Sequence, residues 1–134
     1  MTIPDTWGHV DDLPWISSPE AVADLPETTE SILVRGLNDE IAGALGRLPL
    51  LRTLYQDGNS EISDKGLEAL GRLARLEQLD LEWSSKITDD GLLHLISLRH
   101  LAFLDVGFCE RLTERGVKEF QKRLPSCSIY GVAA

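Results

Sequence analysis

The sequence predicts an α/β fold, a short right-handed solenoid of about four strand–helix repeats with a parallel sheet on its concave face. Residue types recur along the chain at a constant spacing of 25 positions. Each repeat has first an alternating and then a helical spacing of apolar residues. The 134 residues, 43% of them hydrophobic, are enough for one packed domain. Because so short a unit cannot bury its apolar face alone, we expect the units to stack.

The repeat is visible as columns of equivalent residues when the chain is shifted by 25 positions. One column is aliphatic, one is glycine, and between them stand a hydroxyl residue and an acid. Columns of such different chemistry do not coincide three times by chance, and we therefore infer an internal repeat. The members are Leu54, Leu79, Leu104 and Ile129; Ser63, Thr88 and Thr113; Asp64, Asp89 and Glu114; and Gly66, Gly91 and Gly116.

Each repeat is expected to contain one strand followed by one helix. Residues 76–81 place Leu79 and Leu81 on the same side of a strand, and residues 92–98 have a leucine at every third position, as on one side of a helix. The hydroxyl residues of the repeat suit helix N-caps, and the acids after them suit the positive end of the helix dipole. An earlier copy has its strand at residues 32–34, about three residues late.

Two copies carry a longer motif that resembles a known family. They read Leu79-x-Leu81-x-x-Ser84-x-x-Ile87-Thr88-Asp89-x-Gly91-Leu92-x-x-Leu95 and Leu104-x-Val106-x-x-Cys109-x-x-Leu112-Thr113-Glu114-x-Gly116-Val117. The motif is similar to leucine-rich repeats of the cysteine-containing subtype, and the similarity covers roughly residues 30–131. It implies an interaction scaffold. Many members read substrates for ubiquitin ligases, but no F-box helix precedes these repeats, and that role is not carried over.

The end of the array carries a second resemblance. Residues 124–129, Leu-Pro-Ser-Cys-Ser-Ile, close a short array that is similar in outline to the mitochondrial coupling factor B family. This resemblance implies an accessory or regulatory subunit of a larger enzyme complex, which is the alternative to a free-standing binding module.

The ends of the array are expected to close it. Residues 1–31 form an N-terminal cap segment, in which a short helix begins near Ser18 and Pro19, and residues 32–134 form the repeat array with a closing strand at 128–131. We expect Trp7, Trp15 and Val22 to cover the first repeat's open core. A partner-binding arm is the alternative for this segment.

Composition excludes several classes of function. With 22 acidic against 13 basic residues and a net charge of −9, nucleic acids and anionic membrane surfaces are poor partners. No apolar run approaches the ~20 residues that span a bilayer. The N-terminus does not resemble a secretory signal, and two cysteines do not make a disulfide framework. The sequence thus favours a cytoplasmic protein.

Catalytic and cofactor motifs are not found. No glycine-rich phosphate loop occurs, and His94 and His100, six residues apart, do not have the i, i+4 spacing of a helical metal pair. We expect no metal, no cofactor and no small-molecule substrate. Cys109 is a conceivable nucleophile with either histidine as base, but its column contains Asn59 and Ser84, which favours a buried structural thiol. Cys127 is expected to fill the core, too far from Cys109 for a disulfide.

The side chains that point out of the strands' concave face indicate where a partner binds. Carboxylates and aromatics gather there, and we identify no basic residue in these columns, Arg52 and Lys86 being the nearest. Such a surface suits a basic partner protein held by aromatic anchors. We expect Tyr55, Asp80, Asp105 and Tyr130 to lie side by side on the solvent face, and acid–base catalysis by the open Asp80–Asp105 pair is disfavoured. The full predicted partner-binding set is Tyr55, Asp57, Asp80, Glu82, Trp83, Phe103, Asp105, Phe108 and Tyr130.

Overall fold

A computed structural model describes residues 13–131. Its central feature is a six-stranded sheet in which all strands are parallel and follow one another in sequence order. The predicted α/β class and parallel sheet are confirmed. The strands are β1 Trp15–Ile16, β2 Ser31–Arg35, β3 Thr53–Asp57, β4 Gln78–Asp80, β5 Phe103–Asp105 and β6 Ser128–Tyr130.

The helices connect successive strands. Each α-helix contacts the next one along the chain, so that the helices form a layer beside the sheet. Short 3₁₀ helices at Glu20–Asp24, Leu45–Arg47 and Leu93–Leu95 complete the connections. The α-helices are α1 Asp39–Ala44, α2 Asp64–Leu70, α3 Asp89–Leu92 and α4 Glu114–Arg123.

Strand register follows the 25-residue period from β3 onward. Leu54 pairs with Leu79, Leu79 with Leu104, and Leu104 with Ile129. The β2–β3 pair departs from it, since Ile32 pairs with Leu54, which confirms the predicted three-residue delay. The leucine columns fill the interior between sheet and helices, where Leu54, Leu79 and Leu104 are fully buried.

A ladder of hydrogen bonds links consecutive helix starts and explains the hydroxyl and acid columns. Asp64 Oδ1 accepts from the Thr88 backbone N–H at 2.8 Å, and its Oδ2 accepts from the Thr88 hydroxyl at 2.6 Å. The same pair of bonds joins Asp39 to Ser63 and Asp89 to Thr113. These acids therefore join each repeat to the next one, beyond any effect on the helix dipole.

The glycine column has the same origin. A Cβ atom at Gly91 would overlap the Asp64 carboxylate, and one at Gly116 would overlap the Asp89 carboxylate. Gly66 stands in the same relation to Asp39. Glycine is required because the acid of the preceding repeat occupies the space that a side chain would take.

The N-terminal segment is partly as expected. Val22 is buried against the core, and the Ser18 hydroxyl accepts from the Ala21 backbone N–H at the start of the 3₁₀ helix. Trp15 was expected to cover the core, and this is wrong, since 54% of it is exposed and it belongs to β1. Trp7 lies outside the described residues. Within residues 13–131, no helix is long and apolar enough to cross a membrane.

Candidate partner-binding surface

The turn between each strand and the following α-helix contains one residue in the left-handed backbone region. After β2 and β3 this residue is glycine, Gly36 with φ of 75° and Gly58 with φ of 79°. After β4 and β5 it is an aromatic residue, Trp83 with φ of 66° and Phe108 with φ of 58°. Glycine adopts this conformation freely, whereas a residue with a side chain incurs about 1–2 kcal/mol.

The two aromatic turn residues stack on each other. The ring centroids of Trp83 and Phe108 are 4.0 Å apart and their planes differ by 6°. We call them the aromatic pair. Core packing does not require them at these turns, because 45% of Trp83 and 60% of Phe108 remain exposed. Strained backbone at exposed aromatic residues is typical of a functional surface.

The face of the sheet opposite the helices is less open than the sequence predicted. The register of Asp80, Asp105 and Tyr130 is as expected, but Tyr55 and Asp80 are each 1% exposed and Asp105 is buried as well. The prediction of four solvent-facing side chains is therefore wrong for three of them. Asp80 and Asp105 lie outside the hydrophobic core, and the repeat phasing stands.

The carboxylate of the buried Asp80 turns onto the backbone at the ends of the strands. Oδ1 accepts from the Glu82 N–H at 2.9 Å, and Oδ2 accepts from the Gln56 N–H at 3.4 Å. Asp105 repeats the first contact, with Oδ1 accepting from the Gly107 N–H at 2.9 Å. Alternation along a strand predicts the face on which a side chain lies but not this turn toward the backbone.

Asp80, Glu82 and Asp105 form what we call the carboxylate cluster. Burial raises the pKa of Asp80 to about 7, and the neighbouring charge of Asp105 adds to the effect. Burial likewise raises the pKa of Glu82, again with a contribution from Asp105, and the pKa of Asp105. Tyr55 lies beside Asp80, and burial together with that charge raises the pKa of the phenol to about 12.

The carboxylate cluster and the aromatic pair adjoin at Gly107. A Cβ atom placed on Gly107 would lie 3.1 Å from Asp105 Oδ1 and 3.3 Å from Glu82 Oε2. Glu82 directly precedes Trp83, and Gly107 directly precedes Phe108. Two carboxylates thus converge on a position without a side chain, next to the exposed rings.

Within the part of the chain that the structure describes, no lysine or arginine pairs with the carboxylate cluster. All 13 Lys and Arg residues of the chain fall between residues 13 and 131. In that described range, no ion pair involves Asp80, Glu82 or Asp105. Arg52 pairs instead with Glu77 and Glu30, and Lys86 pairs with Glu61.

At the β1–β3 end of the sheet, which we call the completed end, an aromatic ring and a carboxylate do contact a basic side chain. The Arg35 guanidinium lies 4.4 Å from the centroid of the Trp15 ring, and Arg35 Nε is 3.9 Å from Asp57 Oδ2. Asp57 was predicted to lie in columns free of basic residues, and this is wrong. Sequence alignment missed Arg35 because the 22-residue offset between β2 and β3 hides it from a 25-residue shift.

The other predicted aromatics lie further along the sheet. Phe103 and Tyr130 have ring centroids 6.0 Å apart with planes 15° from parallel. Tyr130 is 42% exposed, while Phe103 is half-buried. They form a second, looser aromatic contact on β5 and β6.

Beyond Phe108, on the side away from Trp83, lies an open groove of about 540 Å³. Glu110 and Glu114 supply carboxylates at its rim, and Glu114 is paired with Lys118. The groove gives access to the outer face of the Phe108 ring. The full lining is Val106, Gly107, Phe108, Cys109, Glu110, Leu112, Thr113, Glu114, Val117 and Gly131.

Cys109 has the surroundings of a structural thiol. Its Sγ donates to the Leu81 carbonyl oxygen at 3.1 Å, and burial raises its pKa to about 12. The expected neighbour Asn59 is exposed, and Ser60 takes the place in the column, paired with Ser84. The chain between Leu54 and Ser60 is one residue longer than between Leu79 and Ser84, and the fixed shift therefore chose the wrong residue.

Both cysteines are free and buried, which confirms the prediction that Cys109 and Cys127 form no disulfide. Burial raises the pKa of Cys127 to about 11. His94 and His100 are exposed. Within residues 13–131, no group of three or more His, Cys, Asp or Glu side chains is arranged to hold a metal ion.

Comparison of the sequence with protein-family models and with curated proteins gives no match.

Proposed function

We propose that this chain is a short leucine-rich-repeat solenoid that binds another protein without catalysis. The binding surface is the end of the sheet that carries the aromatic pair and the carboxylate cluster. The partner presents a basic surface. The observation that carries the proposal is the coincidence of exposed, strained aromatics with carboxylates that, among residues 13–131, form no ion pair with a lysine or arginine.

Electrostatics supports a cationic partner. Three carboxylates with raised pKa values lie within one buried cluster, and a nearby positive charge would stabilise their ionised forms. Exposed aromatic rings supply the apolar contact that anchors protein interfaces. The chain's net charge of −9 also accelerates encounter with basic partners.

Affinity capture from native cell extract with the full chain tests the proposal. The binding variant is Trp83→Gly with Glu82→Gln, and the matched control on the helix side is Leu93→Ala with Glu68→Gln, which also removes one exposed apolar side chain and one carboxylate. We expect a captured basic protein that is lost with the binding variant, retained with the control, and weakened by added salt.

Capture of a partner that both variants retain equally would contradict a binding site at this surface. If that partner belongs to a stable enzyme assembly, the alternative of an accessory or regulatory subunit gains support, as the resemblance to coupling factor B implies. The two candidate functions therefore differ in which variant loses the partner.

A further inference from the structure

We propose that the aromatic pair and the carboxylate cluster together bind an arginine side chain of the partner, with its guanidinium stacked on Phe108 and its charge directed toward Glu82 and Asp105. This inference rests on the proposed function and specifies the chemistry of its contact. It distinguishes arginine from lysine, which a purely electrostatic acidic surface does not.

The aromatic residues at the two turns carry a conformational cost that glycine would avoid. The equivalent turns after β2 and β3 have Gly36 and Gly58 at the left-handed position. Trp83 and Phe108 occupy the same conformation with large exposed rings. Both rings stack on each other and still keep a large exposed fraction, so we take the surface that they present as the reason for their place at these turns.

The chain already contains one arginine that contacts both an aromatic ring and a carboxylate. Arg35 lies over the Trp15 ring at 4.4 Å with the Asp57 carboxylate 3.9 Å from its Nε. A guanidinium, an aromatic face and a carboxylate are thus combined at one end of the sheet. At the other end the aromatic faces and the carboxylates are present, and among the described residues no guanidinium joins them.

The Phe108 ring adjoins both Trp83 and an open groove. Trp83 covers one face of the Phe108 ring, and Phe108 also lines the open groove, whose lining does not include Trp83. A planar guanidinium stacks on such a face and still donates hydrogen bonds in its own plane, which a lysine ammonium does not. Acceptors for these hydrogen bonds are the Asp105 and Glu82 oxygens that converge at Gly107, the residue directly before Phe108.

The experiment is an NMR titration of the ¹⁵N-labelled full chain at low salt with three synthetic hexapeptides: hexa-arginine, hexa-lysine and the neutral isostere hexa-citrulline. The Trp83 indole signal is assigned with Trp7→Phe and Trp15→Phe variants. We expect hexa-arginine to shift this signal and to bind about threefold to tenfold more tightly than hexa-lysine. Hexa-citrulline should cause no shift.

Phe108→Gly tests the ring while keeping the turn foldable, because glycine is the residue that the earlier turns use. It should reduce hexa-arginine affinity to the level of hexa-lysine. Glu82→Gln with Asp105→Asn should weaken both peptides, and Leu93→Ala should weaken neither. Circular dichroism of each variant confirms that it is folded.

Equal affinities for the two basic peptides, unchanged by Phe108→Gly but lowered by Glu82→Gln with Asp105→Asn, would overturn the arginine site and leave the proposed function intact. Failure of both basic peptides to bind would overturn the two together. A shift caused by hexa-citrulline, or by a neutral hexasaccharide in place of the basic peptides, would also overturn the arginine site, because stacking without charge would then suffice.

Discussion

The two ends of the sheet both contain aromatic rings and carboxylates. They differ in whether a guanidinium among the described residues contacts these groups. At the β1–β3 end, Trp15, Arg35 and Asp57 satisfy one another, and the turns contain glycine. At the β4–β5 end, the turns contain Trp83 and Phe108, and no lysine or arginine in the described part of the chain pairs with the adjoining carboxylates. This difference shows that the core can stay periodic while the turns change, and the changed turns carry the surface that we propose binds a partner.

The largest expected change in stability concerns the aspartate–glycine contacts that both halves of the molecule share. It therefore tests whether the halves differ only in their turns. Gly66→Ala and Gly91→Ala both force a methyl group into an aspartate of the ladder, one in each half of the molecule. Each should lower the free energy of unfolding by about 2–4 kcal/mol. Gly43→Ala in α1, where a Cβ meets nothing within 4 Å, should be neutral or stabilising by up to about 1 kcal/mol. Urea denaturation measures all three, and a much smaller cost at one ladder position would mean that the halves differ in their packing too.

The next effect comes from the buried Asp80. Its folded pKa of about 7 lies above the ordinary aspartate value of 3.8, so the folded state holds this proton more tightly and the contribution to stability is lost as pH rises from about 4 through 7. Asp80→Asn should therefore stabilise the protein at pH 8 by about 1–3 kcal/mol and have little benefit at pH 4.

Thermal unfolding of Asp80→Asn and of the parent chain, measured from pH 4 to pH 8, checks this prediction through the difference in their stability. Asp57→Asn at the completed end is the control, because Asp57 is exposed. An equal gain from both substitutions, or a gain for Asp80→Asn that is larger at pH 4, would show that Asp80 does not carry an unfavourable buried charge.

The two kinds of turn should respond differently to substitution of their left-handed residue. Gly58→Ala places a side chain at positive φ with nothing to contact, and should destabilise by about 1 kcal/mol. Trp83→Gly relieves the same strain but loses the stack with Phe108, and the two changes should nearly cancel. Unfolding free energies measure both, and a strongly destabilised Trp83→Gly would show that Trp83 is structural.

The smallest effect is expected at the completed end. Arg35→Ala removes one exposed cation–π contact and one exposed ion pair, and should cost about 0.5–1 kcal/mol. The cost should fall in high salt as the ion pair is screened. A cost that exceeds about 2 kcal/mol would indicate that Arg35 supports the sheet beyond its two contacts.

The sequence predicts the periodic parts of this molecule well and the aperiodic parts poorly. The aliphatic column fixes strand register from β3 to β6, because one face of each strand must be buried. A fixed shift cannot find Arg35 or Ser60, which lie where the period changes locally. Residue type alone also does not show that Asp80 turns onto the backbone, or that Trp83 adopts a glycine-like conformation.

One titration with hexa-arginine compares the aromatic pair directly with Trp15 at the other end of the sheet. Aromatic rings shield protons that lie over their faces, so the arginine Hδ signals of a bound hexa-arginine peptide should move upfield and show NOEs to the Phe108 ring. The Trp83 indole signal should move with the same dissociation constant, while the Trp15 indole, whose ring is already covered by Arg35, stays unchanged. Contacts of the peptide with Trp15 and none with Phe108 would contradict the account.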